Sequence, residues 1–88
     1  MKNFVAVFHM IGCPHCRAVT GPHGALAPLS RFQHLSVVEI ESADPLCEAM
    51  SVNSFPTIFL VTKESVFRYP SSGDRTTEAF ERWTASRT

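Results

Sequence analysis

Two cysteines separated by a proline and a histidine, Cys13-Pro14-His15-Cys16, are the residues best suited to chemistry in this sequence. Two thiols at that spacing can exchange electrons with a disulfide, close on each other as a staple, or supply half of a tetrahedral zinc site. The zinc reading needs further ligands, for which His9, His15 and His23 are the candidates, and there is no second cysteine pair. Cys47 stands alone and reads as a small apolar core residue. Three cysteines are an odd number for a disulfide-stapled scaffold, so reactive thiols in a reducing compartment are the expectation. Charge sets the two sulfurs apart. Pro14 favours the first position of a helix, which places Cys13 at its N-terminus, where unpaired N–H groups and the helix dipole stabilise a thiolate. Cys16 follows within one turn. Cys13 is therefore read as the exposed nucleophile and Cys16 as the buried thiol that resolves a mixed disulfide. Pro14 stiffens the turn, and His15 adds a donor and a positive charge beside the sulfurs.

The surrounding elements must hold that motif in place. Residues 3–9 are β-branched and aromatic and read as a buried strand that delivers the chain to the cysteines. Two or three helical pieces are expected between 14 and 33, interrupted at Gly21-Pro22, Gly24 and Pro28, with Leu26, Leu29 and Phe32 facing the core. Val37–Glu41 reads as the second strand, and Asp44-Pro45 as the start of a short helix to about residue 51 carrying Leu46, Cys47, Ala49 and Met50. Ile58–Thr62 and Val66–Tyr69 follow as a hairpin around Lys63-Glu64-Ser65. A last helix begins near Asp74 or Thr76, with Ala79, Phe80 and Trp83 on one face. The order β-α-β-α-β-β-α implies a parallel crossover, then an antiparallel hairpin. The fold class is α/β: a four-stranded mixed sheet with helices on both faces.

With 88 residues, the chain is read as one domain spanning 1–88. Hydrophobic residues make up 44% and charged ones 18%, which is too apolar for a disordered segment. Eight basic residues balance eight acidic ones, so no nucleic-acid partner and no electrostatic membrane contact is expected. No apolar run approaches the ~18 residues of a transmembrane helix. The first residues show no basic region followed by a long apolar stretch, so a cytoplasmic location is expected. His23 and His34 read as surface histidines, and Glu39, Glu41, Asp44 and Glu48 as a solvated edge.

The sequence resembles the thioredoxin superfamily, in particular small thioredoxins and the catalytic domains of protein disulfide isomerases. Besides Cys13-Pro14-His15-Cys16, the stretch Val52-Asn53-Ser54-Phe55-Pro56-Thr57 is similar to the loop in which that family places a cis-proline against its active-site sulfurs. Gly73-Asp74-Arg75-Thr76 before Phe80 resembles the closing segment of isomerase domains. The likeness covers nearly the whole chain, without the extra first strand and helix of full-length thioredoxins. It implies a cis peptide at Pro56 and a substrate groove formed by Gly12, Phe55, Pro56 and Thr57.

Three positions depart from the family pattern. Gly12 stands where the family usually has a tryptophan, which removes an apolar part of the substrate platform. Val7 stands where a buried acid accepts the proton of the second thiol, and Val37 where thioredoxins carry a lysine. Pro22 comes six residues after Cys16, where the family's helix proline comes five after. The resemblance implies a thiol–disulfide oxidoreductase acting on protein disulfides, with no bound cofactor or metal, functioning as a monomer. Its electron donor would be a reductase or glutathione. The alternatives are a glutathione-dependent enzyme of the glutaredoxin type, in which Ser72-Gly73-Asp74 would hold the tripeptide, and a non-catalytic binding or metal-binding module.

Overall fold

The computed structural model describes residues 3–31 and 35–87. Its elements are β1 (Asn3–His9), α1 (Pro14–Val19), a 3-10 segment (Ala27–Arg31), β2 (Leu35–Glu41), α2 (Leu46–Ala49), β3 (Thr57–Val61), β4 (Val66–Arg68) and α3 (Thr77–Arg87). The expected order β-α-β-α-β-β-α is found. The sheet order is β2-β1-β3-β4, with β1 parallel to β2 and antiparallel to β3, and β3 antiparallel to β4.

Sheet order explains the apolar runs. β1 and β3 are central, so both of their faces are covered and their residues need not alternate with polar ones. Val5 and Val7 of β1 and Ile58 and Leu60 of β3 join Val19, Leu26, Leu29 and Phe80 in one buried cluster. The intervening residues, Ala6, Phe8 and Phe59, point the other way and meet Cys47 and Val52. Phe8 and Phe59 contact edge to face, 5.7 Å between ring centroids. Helical elements thus lie on both faces, α1, the 3-10 segment and α3 on one side and α2 on the other. Phe32 and His34 lie outside the described residues.

Local chemistry sets the element ends. α1 stops at Thr20, whose hydroxyl donates to the Cys16 carbonyl at 2.8 Å, and Gly21 then turns with φ +77°. The Gly21 N–H donates to the Glu39 carboxylate at 2.7 Å, which ties the end of α1 to β2. Among the described residues of the 14–33 stretch the helical pieces are two, α1 and the 3-10 segment, and the solvated acid Glu39 also holds a backbone group. α2 is shorter than expected. The Asp44 carboxylate accepts the Leu46 N–H at 2.8 Å, and Ser51 takes a positive φ of 57°, which ends the helix within one turn. β2 begins two residues before the expected Val37 and β4 ends one before Tyr69. Thr76 accepts the Ala79 N–H at 3.2 Å and so caps α3, whose Phe80 is buried and whose Trp83 is half-buried. Among the described residues, no helix is long and apolar enough to cross a membrane.

Candidate thiol active site

Strand directions bring the candidate residues to one end of the sheet. β1 ends at His9 and leads directly into Met10–Cys13. β3 runs the opposite way, and its first residue Thr57 pairs with Phe8, so Phe55-Pro56 enters beside the end of β1. β4 runs parallel to β1, and the Tyr69 N–H still pairs with the Ile58 carbonyl at 2.8 Å before the chain turns into residues 70–76. The cysteine motif, the proline loop and the Gly73–Thr76 loop therefore leave the sheet on the same side. Loops at the carboxyl ends of parallel strands are where open α/β sheets generally place their sites.

The motif begins with a four-residue turn, Met10 to Cys13. The Cys13 N–H donates to the Met10 carbonyl at 3.2 Å, and Gly12 sits at the third position with φ +83°. That position of a type II turn calls for glycine. A Cβ at Gly12 would meet nothing within 4 Å, so the backbone angle, not crowding, is the constraint. Gly12 is thus a requirement of the turn as well as the loss of a tryptophan. Cys13 is the N-cap of α1 with extended backbone, Pro14 occupies the first helical position, and the Cys13 sulfur accepts the Cys16 N–H at 3.4 Å. Cys13 is half-buried, Cys16 is buried at 2% exposure, and all three cysteines are free thiols.

These surroundings separate two identical groups. The Cys13 thiol is lowered below its ordinary pKa, chiefly by hydrogen bonds from the Cys16 side chain and backbone, with help from the His15 backbone N–H and the charge of Arg75. The Cys16 thiol is raised, chiefly by burial and by its bond to Cys13; the backbone of Met10 and the charge of Arg75 pull it the other way. The backbone of His15 acts on Cys13, and Arg75 adds a positive charge at both sulfurs. The side chain of His15 is exposed. Position 75 was legible only as part of a resemblance in its loop; nothing in the residues themselves pointed to the sulfurs.

The remaining candidates are placed as follows. The Phe55–Pro56 peptide is cis, as the resemblance implies. Phe55 and Pro56 are half-buried, Thr57 is buried, and the Thr57 hydroxyl donates to the Ser54 carbonyl at 2.6 Å, closing the bend. Val7 is fully buried in the cluster of β1, β3, α1 and α3, with no carboxylate in its place. Cys47 is buried under β1, with its sulfur 3.6 Å from the Glu41 carbonyl. Among the described residues, no three His, Cys, Asp or Glu side chains gather as metal ligands would. An apolar groove of about 230 Å³ lies on the α2 side of the sheet, and none of the cysteine-motif residues lines it.

No protein-family model and no curated protein matches the chain. Solved structures do. The J-Trx1 fragment of ERdj5 superposes with a TM-score of 0.77 at 21% identity, covering 98% of this chain and 43% of that one. This chain thus spans less than half of that fragment. A malarial protein superposes at 0.79 and 15% identity, covering 98% of this chain and 97% of its own. The germline-specific thioredoxin Deadhead from Drosophila melanogaster gives 0.73 and 20%, covering 99% and 82%. Matches of this kind establish architecture: the chain has the thioredoxin fold.

Proposed function

We propose that the protein is a thiol–disulfide oxidoreductase acting on protein disulfides through Cys13 and Cys16. The observation that carries this reading is the opposed environment of the two thiols. Cys13 is accessible and held toward the thiolate, while Cys16, three residues on, is buried and held toward the thiol. The thiolate is the attacking species, so the pair has an order of reaction built into it.

In the reducing direction, the Cys13 thiolate attacks one sulfur of the substrate disulfide. A Cys13–substrate S–S bond forms, and the other substrate sulfur leaves as a thiolate and takes a proton from solvent. Cys16 then loses its proton and attacks the Cys13 sulfur, which releases the second substrate thiol. Two electrons pass to the substrate, and the protein is left with a Cys13–Cys16 disulfide that a reductase or glutathione reduces. No bound cofactor takes part. Arg75 supports both steps, because its charge favours the thiolate at either sulfur.

Insulin reduction with dithiothreitol as donor measures the activity. Cys13→Ser abolishes it, whereas Cys16→Ser retains the first step and accumulates a mixed disulfide on Cys13 that mass spectrometry detects. A Cys13→Ser protein that still reduces insulin overturns the assignment. A wild-type protein that reduces insulin no faster than dithiothreitol alone overturns the function.

A further inference from the structure

We propose that Ile11, with Met10 beside it, is the contact through which this protein selects disulfides flanked by apolar side chains. The inference rests on the exchange reaction proposed above and names the substrate class it prefers. Ile11 is 78% exposed and Met10 46%, and they lie just before the nucleophile in sequence, separated from it by Gly12. Exposure alone means little, since single apolar side chains are common on protein surfaces. The backbone adds the meaning. Ile11 is the second residue of the turn closed by the Cys13 N–H to Met10 carbonyl bond, and Gly12 with φ +83° is the third. A side chain at the corner of such a turn projects away from the chain, and the glycine after it has none to compete. The bond that fixes Ile11 is made by the nucleophilic residue itself, so the two are held in one register.

The chemistry of the neighbourhood selects the partner. Residues 10–12, Met-Ile-Gly, carry no charged side chain. A small anionic thiol compound meets the charge of Arg75 at the sulfurs but leaves Ile11 uncovered, whereas a polypeptide laid across Cys13 can cover Ile11 with the side chain next to its own cysteine. Two exposed side chains are far too small a surface for a membrane or for a stable dimer, which needs roughly 800 Å² from each partner. The occupant is therefore an extended segment of substrate with an aliphatic or aromatic residue beside the disulfide. The platform thinned by Gly12 is rebuilt one and two positions earlier.

The test uses the full chain with three disulfides: a peptide pair with leucine on both sides of its linked cysteines, the same pair with serine there, and bis(2-hydroxyethyl) disulfide. Rate constants for oxidation of the dithiol are read by acid quench and mass spectrometry. Wild type reduces the leucine pair faster than the serine pair. Ile11→Ser loses about tenfold on the leucine pair, about 1.4 kcal/mol of discrimination, and is unchanged on bis(2-hydroxyethyl) disulfide. Ile11→Leu keeps the wild-type preference. An Ile11→Ser protein equal to wild type on the leucine pair overturns the proposal, as does an equal loss on all three disulfides, which would mark Ile11 as a support for Cys13. A wild type inert toward bis(2-hydroxyethyl) disulfide as well overturns the underlying exchange reaction, a different result from either.

Discussion

Cys13 and Cys16 carry the same functional group, and their difference comes from the hydrogen bonds that reach Cys13 and from the burial of Cys16. Because the folded Cys13 thiol lies below its unfolded pKa, the folded reduced protein binds fewer protons than the unfolded chain between those two values. The stability this contributes is fully present above the unfolded value and is lost as pH falls through the folded one. Cys16 is the reverse: raised in the fold, it contributes below the unfolded value and loses that contribution as pH rises toward the folded one. Iodoacetamide alkylation followed against pH should therefore show Cys13 reacting with a midpoint below that of a free thiol and Cys16 with one above it. Arg75→Gln should move both midpoints upward, since its charge favours both thiolates; midpoints that stay put would remove Arg75 from the site. Gly12 gives a second prediction. Gly12→Ala meets open space but must hold a positive φ, a penalty of about 1 kcal/mol. Urea unfolding of the reduced protein checks it, and an unchanged midpoint would contradict the turn.

At the scale of elements, the strands were legible where burial is symmetric and less so at the edges. β1 runs over residues 3–9 as read, because a central strand buried on both faces is a continuous apolar run. β2 and α2 are displaced from expectation by two residues or so, because their ends are fixed by the edge of the sheet and by Ser51, which leaves the helical region without being a glycine. The cysteine pair and the cis-proline were legible for a different reason: their residue types and spacing carry the chemistry themselves. Arg75 and Ile11 were not, since one acts across the tertiary fold and the other matters through a turn that composition does not reveal. Val7 shows what β1 tolerates. It is fully buried between β3 and the helices, so Val7→Asp removes apolar burial and strands a carboxyl, and about 3 kcal/mol of destabilisation is expected by thermal or urea unfolding. A loss under 1 kcal/mol would mean the carboxyl finds a partner, and release of substrate from the Cys13 mixed disulfide should then quicken near neutral pH.

At the scale of the molecule, the chain is closed by long-range ties. The Thr77 hydroxyl donates to the Ala25 carbonyl at 2.8 Å, joining the start of α3 to the loop behind α1. Tyr69 donates to the Asp74 carbonyl, and its ring rests on Phe80 and Trp83, at 4.7 and 4.9 Å between centroids. The tyrosine thus fastens the loop that carries Arg75 to the helix that follows it. Gly73 lies under the same ring, where an added Cβ would come within 2.7 Å of it. The arrangement of β1 between β2 and β3 has a consequence for how the protein is made. A ribosome delivers the cysteine motif early, yet β1 gains its antiparallel neighbour only when residues 57–61 emerge, and Arg75 comes later still. Until then Cys16 lacks the burial that raises its thiol, and both sulfurs lack the charge of Arg75. The full contrast between the two thiols is therefore completed late in synthesis, and a chain cut short by incomplete translation carries both cysteines without the tertiary part of that contrast.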